Sequence, residues 1–133
     1  MSQIVARVRE IESVDNLNIV KFDFYKEQLT MMSLELNDNI KIGTKVKLGI
    51  KSTHIVIAKS FSGIISYSNQ IKAKIVSCEN GKLLSSIKLL VEGVILESII
   101  TRESSKTMDL KVGDDVTLMI KASELSIVEI LDD

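Results

Sequence analysis

Two short segments of the chain place a lysine beside small or hydroxyl-bearing residues. Residues 121–123 read Lys-Ala-Ser and residues 51–53 read Lys-Ser-Thr, each after an apolar run. Lysine, hydroxyl groups and the backbone N–H groups at a strand end are all hydrogen-bond donors. Neither triplet contains a carboxylate, so each is a set of donors that suits a compact anion.

A second donor set lies in the segment 101–110. Thr101 is a capping residue type and an acid follows in the first turn, which predicts a short helix. Unpaired N–H groups and a partial positive charge at a helix N-terminus attract anions. Thr101 and Ser104 would add two hydroxyls there, and Arg7 and Lys74, at matching places in two similar segments, would each add a cation.

Each of these residues also has an ordinary structural interpretation. Thr101 alone is most simply a helix cap, Ser123 a turn residue, and Lys51 and Lys121 solvated lysines at strand ends. The anion hypothesis depends on the same elements recurring together.

The recurrence comes from a duplication of the whole chain. Three pairs of segments match in the same order: 3–8 with 70–75, 40–46 with 110–116, and 50–53 with 120–123. We therefore predict two modules, at 1–62 and 68–133, joined by a short serine-rich tether.

Within each module the apolar residues alternate with polar ones. Ile4, Ala6 and Val8 show this period of two, which predicts strands with one buried face. Turn signals such as Glu79-Asn80-Gly81 separate the runs. The predicted fold class is all-β: two tandem OB-like barrels of five strands, with at most one short helix each, before the fourth strand.

Composition argues against several classes of function. Net charge is −1 and aromatic residues make up 4% of the chain, neither of which favours nucleic-acid binding. One cysteine, Cys78, and one histidine, His54, cannot form a Cys/His zinc site. Because no apolar run is long enough for a membrane span or resembles a signal peptide, we expect a cytoplasmic protein without a membrane partner. Modules this small bury little surface alone, so we also expect oligomerisation.

The second module resembles the Mop/TOBE family of molybdate-binding domains. The resemblance lies in residues 70–74 (QIKAK), 96–104 (LESIITRES), 110–113 (LKVG) and 120–123 (IKAS). With two modules in tandem, the whole chain resembles a di-Mop molbindin. That resemblance implies binding of molybdate or tungstate without catalysis, without a covalent cofactor and without protein ligands to a metal ion. It also implies a homo-oligomer, typically a trimer, with sites at the interfaces between modules.

The resemblance also implies which residues form the sites. The second module would supply Thr101 and Ser104 from one face, and from the other face Lys74, Lys121, Ala122 and Ser123. The first module matches at Arg7, Lys51, Ser52 and Thr53.

Several positions depart from the family pattern. Val5 and Lys72 replace a first-strand serine, and Lys74 replaces an arginine, with loss of the planar two-donor fork. Residues 29–37 show no clear threonine and serine pair, and Glu35 would repel an anion. We therefore predict unequal sites: the better one would join the four first-module residues to Thr101 and Ser104, and the reciprocal one would be weak or lost.

Other functions remain open at this point. An OB-type nucleic-acid binder fits the strand count but not the charge. A molybdate-responsive regulatory or transport-associated module is a second alternative, although the chain has neither a helix-turn-helix pattern nor a glycine-rich phosphate loop. An enzyme is the least favoured class. Molybdate and tungstate, being nearly the same size, cannot be separated, nor can storage, sensing and delivery.

Overall fold

The computed structural model describes residues 1–132, which form ten strands and one α-helix. The strands are β1 (Ser2–Val14), β2 (Leu17–Phe24), β3 (Glu27–Ser33), β4 (Lys45–Ile50), β5 (Val56–Ala58), β6 (Asn69–Asn80), β7 (Leu84–Val91), β8 (Val94–Thr101), β9 (Asp115–Ile120) and β10 (Ser126–Leu131). The helix α1 spans Arg102–Thr107. Two short 3₁₀ helices, Ser52–His54 and Ala122–Glu124, each follow a lysine. We call residues 51–54 and 121–124 the first and second lysine turns.

The alternating pattern of the sequence corresponds to buried and exposed faces. Ile4, Ala6 and Val8 of β1 are buried, and the residues between them are exposed. Phe22 and Leu118, from different sheets, are both fully buried and belong to one continuous apolar cluster. The predicted fold class, all-β with two OB-like five-stranded modules, is confirmed.

The strands form two antiparallel sheets that exchange their last strands. One sheet has the order β10-β4-β1-β2-β3 and the other β5-β9-β6-β7-β8. Thus β5, from the first module, pairs with β9, and β10, from the second module, pairs with β4. The chain crosses from one sheet to the other at each lysine turn. The boundaries 1–62 and 68–133 stay a prediction about the sequence repeat.

The strand registers show how the two modules correspond. Asn18 pairs with Ser33 in the first sheet, and Ser85 pairs with Ile100 in the second. Both members of the second pair lie 67 positions after their counterparts (18 to 85, 33 to 100), so β2 and β3 correspond to β7 and β8 without a gap. The lysine turns correspond at the larger offset of 70 (51 to 121).

The connection between the third and fourth strands differs between the modules. In the second module it contains α1, capped by Thr101, as the sequence predicts. In the first module residues 34–44 form turns and no helix, which agrees with the prediction of at most one short helix in each module. The register explains why, because Leu34 stands where the second module has the capping Thr101.

Candidate functional site

The two lysine turns present cations and hydroxyls at the ends of β4 and β9. Each lysine has extended backbone angles, and its carbonyl accepts a hydrogen bond from the N–H three residues later, at 2.9 Å from His54 and 3.0 Å from Glu124. Lys51 and Lys121 are exposed. Thr53 and Ser123, at equivalent positions, are exposed as well. The turns therefore point four donor side chains toward solvent.

A histidine–carboxylate pair joins the two turns. His54 Nδ1 lies 2.7 Å from Glu124 Oε2. These positions are equivalent in the duplication (54 to 124), so the contact lies on the approximate two-fold axis relating the modules. From the sequence, His54 was considered as a zinc ligand, and this pair was missed. The symmetry offset was the signal that could have found it.

The hydroxyl of Ser52 is directed into the protein and not to solvent. Ser52 is buried, at 8% exposure, and its Oγ donates to Glu97 Oε1 at 3.2 Å. Ser86 Oγ donates to the other carboxylate oxygen at 2.6 Å. These hydrogen bonds, first that from Ser86, lower the pKa of Glu97 below its ordinary value. Ala122 replaces Ser52 in the second lysine turn.

Thr101 and Ser104 form the start of α1. Thr101 Oγ1 accepts from the Ser104 N–H at 3.0 Å and donates to Ser104 Oγ at 2.9 Å. Both residues are exposed, while Glu103 places a carboxylate in the same turn. Ser105 is buried and its Oγ donates to Asn80 Oδ1 at 3.3 Å, which fixes the helix to the end of β6.

The first-strand cations lie away from the lysine turns. Arg7 Nη1 donates to the Gly43 carbonyl at 3.1 Å. Lys74 Nζ lies 3.5 Å from Asp115 Oδ1 and lines a surface cavity of about 530 Å³ with Lys72. In β1, Ser2 pairs with Ile50, the residue before the first lysine turn. Arg7 lies five residues further along β1, a distance of about 17 Å.

A single chain does not bring the predicted site residues together. Ser52 contacts Glu97, and Thr101 lies four residues further along β8, about 13 Å away. Lys121 follows the residue that pairs with Asn69, at the start of β6. Ser104 lies beside the end of β6, a path of about 36 Å along that strand. The hydroxyls of α1 and the second lysine turn are thus far apart within one chain.

The first module lacks the hydroxyls of α1. At the offset of 67, Thr101 corresponds to Leu34, and Asn37 stands three residues after Leu34, as Ser104 does after Thr101. Leu34 is 73% exposed. Both residues line a groove of about 650 Å³ between the end of β3 and β10, together with Ser123, Glu35 and Glu129.

Comparison with known families gives a match for the second module. The TOBE domain family matches residues 65–127, which include α1 and the second lysine turn. The second module of the chain is therefore a TOBE domain. The resemblance deduced from residues 70–123 is therefore confirmed.

Two solved structures are similar to this TOBE-domain protein. The cytoplasmic molybdate-binding protein ModG, solved with molybdate bound, has a TM-score of 0.88 and 20% identity, covering 94% of this chain and 93% of that chain. It shares the fold across both modules. A molybdate-binding protein from Sporomusa ovata is 30% identical over 50% of this chain and 100% of its own, with a TM-score of 0.49. A comparison with curated protein sequences finds no match.

Residues 1–132 show neither a clustered set of metal ligands nor a membrane-spanning helix. No group of three or more His, Cys, Asp and Glu side chains in this range is arranged to hold a metal ion. Within the same range, no helix has both the length and the apolar character needed to cross a bilayer.

Proposed function

We propose that this TOBE-domain protein binds molybdate or tungstate and stores it in the cytoplasm as a homotrimer, without catalysis. The observation that carries the proposal is the set of exposed hydroxyl and cationic donors within the part of the chain that matches the TOBE family: Thr101, Ser104, Lys121 and Ser123. A protein with the same two-module fold, ModG, is described as binding molybdate, which supports the choice of anion.

The sites are proposed to lie between chains. The α1 hydroxyls and the second lysine turn are at opposite ends of β6, so an ion of a few ångströms can contact both only if they come from different copies. One class of site would join Thr101 and Ser104 of one copy to Lys121, Ala122 and Ser123 of another, with Lys74 about 17 Å away along β6. The first lysine turn offers Lys51 and Thr53 in the same role, but Ser52 is held by Glu97 and Arg7 lies about 17 Å away along β1.

The chemistry of these donors suits a tetrahedral dianion. Molybdate presents acceptor oxygens and a charge of about −2, and hydrogen bonds to a charged partner each contribute about 1.5–3 kcal/mol. Exclusion of water at an interface strengthens the attraction between the ion and Lys121. A set of donors spaced for the larger oxyanion would hold sulfate with longer and weaker hydrogen bonds.

The test combines calorimetric titration with native mass spectrometry. We expect molybdate and tungstate to bind, sulfate to bind more weakly, and the loaded protein to have three times the 14.8 kDa chain mass. Lys121→Ala and Thr101→Ala should each weaken binding by about 10- to 100-fold, the equivalent of one charged hydrogen bond. Lys26→Ala removes the same charge at the exposed β2–β3 turn and serves as the control.

Absence of binding at millimolar molybdate would refute the proposed function. A loaded protein with the mass of one chain would refute the interface location. Equal affinities of the Lys121→Ala and Lys26→Ala variants would refute the role of the second lysine turn.

A further inference from the structure

Glu97 occupies the centre of a hydroxyl pocket beside the first lysine turn. Ser52 donates to one carboxylate oxygen and Ser86 to the other, at 3.2 and 2.6 Å. The backbone is fixed at the same point, because the Glu97 N–H donates to Ser2 Oγ at 2.9 Å. Lys88 is the cross-strand partner of Glu97 on β7. Two hydroxyls from separate elements and a nearby cation thus surround a carboxylate that belongs to the chain.

The position equivalent to Glu97, beside the second lysine turn, has no carboxylate. At the offsets established by the strand registers, Glu97 corresponds to Thr30, Ser86 to Ile19 and Ser52 to Ala122. The backbone contact is kept, since the Thr30 N–H donates to Asn69 Oδ1 as the Glu97 N–H does to Ser2. The backbone hydrogen bond is therefore the same in both modules. Of the two third strands, β3 and β8, only β8 places an acid, Glu97, beside the lysine turn of the other module.

We propose that Glu97 is a specificity-determining residue whose carboxylate takes the place of an external oxyanion at the first lysine turn. This inference rests on the proposed oxyanion function. A carboxylate offers the same negatively charged acceptor oxygens that an oxyanion would present to Ser52 and Ser86. A second anion would meet like charge and find these hydroxyls already engaged. The first lysine turn is thereby closed, and the second turn, with Thr30 and Ala122, is open to the ligand.

The ionised state of the carboxylate agrees with this assignment. Hydrogen bonds from Ser86 and Ser52 lower the pKa of Glu97, so the group is charged at neutral pH. The assignment reverses the ranking predicted from sequence, in which the site containing Ser52 is the better one.

The test is to change the number of oxyanions bound by the intact protein. Glu97→Thr copies the residue of the equivalent position, and Glu97→Gln keeps the shape while removing the charge. Equilibrium dialysis against molybdate, followed by elemental analysis, gives the number of ions per chain. We expect both variants to bind about one more ion per chain than the wild type. Glu92→Gln, which removes an exposed carboxylate from the β7–β8 turn, is a comparison for the loss of charge alone.

The additional ion should depend on the opened pocket. In the Glu97→Thr background, a further Ser86→Ala change should remove the gained ion. Circular dichroism and thermal unfolding show whether each variant is folded, and Glu97→Gln keeps the test decisive if Glu97→Thr is not.

The outcomes separate this inference from the proposed function. If the wild type binds molybdate and the folded Glu97 variants bind the same number of ions, or if Glu92→Gln gives the same gain, the role of Glu97 is refuted while the function stands. If the wild type binds none and the Glu97 variants do, Glu97 is confirmed as the blocking group and the proposed function of the wild type is refuted.

Discussion

The side chain of Asn69 fastens the second module to the exposed edge of β3, and its removal should destabilise the whole protein. Asn69 is 1% exposed. Its Oδ1 accepts from the Thr30 N–H at 2.7 Å, and its Nδ2 donates to the Thr30 carbonyl at 2.9 Å. Because β3 is an edge strand, these backbone groups have no ladder partner on that side. The amide thus replaces a neighbouring strand.

The expected magnitude follows from the groups that Asn69→Ala leaves unpaired. Each backbone group that loses its partner at a partly buried site costs about 1–3 kcal/mol. Two such groups give a predicted loss of about 2–6 kcal/mol in the free energy of unfolding, at the lower end if water replaces the amide. The equivalent Ser2→Ala removes a single hydrogen bond, to the Glu97 N–H, and should cost about 1 kcal/mol.

Urea denaturation, monitored by circular dichroism, measures the free energy of unfolding of both variants. All measurements use one protein concentration, because the apparent stability of an oligomer depends on concentration. Gln70→Ala, at the exposed neighbouring position, is the control and should change stability by less than about 0.5 kcal/mol. The reasoning is refuted if Asn69→Ala unfolds within about 0.5 kcal/mol of wild type, or if it is no more destabilising than Ser2→Ala.

Two other predictions concern acid stability and the first module. The ammonium of Lys59, 3.0 Å from Asp114, lowers the pKa of that carboxyl below its ordinary 3.8. The ion pair therefore stabilises the fold above pH 3.8, and this stabilisation is lost as the pH falls through the folded-state pKa. Asp114→Asn should therefore be less stable than wild type at pH 7 and approach it near pH 2 in urea titrations, and a pH-independent difference would contradict this. Leu34→Thr combined with Asn37→Ser rebuilds the missing hydroxyl pair and should raise the molybdate bound per chain in equilibrium dialysis; an unchanged number would show that hydroxyl loss does not limit the first module.

Much of the fold could be predicted because burial follows sequence period. The alternation of Ile4, Ala6 and Val8 correctly predicted a strand with one buried face. Thr101 followed by an acid correctly predicted the cap of a short helix. These signals are local, since each depends on residues that are neighbours in the chain.

The exchange of strands could not be predicted in this way. Alternation in β10 shows which face of the strand is buried but not which strand lies beside it. An apolar face of similar length and composition is offered by β4 and by β9, because the modules are copies. The pairing of β10 with β4 therefore depends on contacts across the whole chain and could not be predicted from the alternation within one strand.

The structure separates some of the residues that were grouped into one candidate site. Sequence order placed Arg7 and Lys51 in one set, but antiparallel pairing separates them: Arg7 lies beside Lys45 at one end of β4, and Lys51 follows Ile50 at the other. Glu97 was missed because an acid in a strand has no signature of its own. Its position becomes informative only when the register sets it against Thr30.

The strand exchange also explains why the two lysine turns can diverge in function. Each turn is the crossing point between sheets, so it packs against the third strand of the opposite module: the first turn against β8 and the second against β3. The environment of Ser52 is therefore controlled by residues of the second module, such as Glu97 and Ser98, whose Oγ donates to the Ile55 carbonyl at 2.6 Å. A substitution in the third strand of one module therefore changes the hydrogen-bonding groups around the lysine turn of the other module. In a duplicated chain with this topology, a single acid such as Glu97 gives the two lysine turns different surroundings while the backbone hydrogen bond beside each turn is kept.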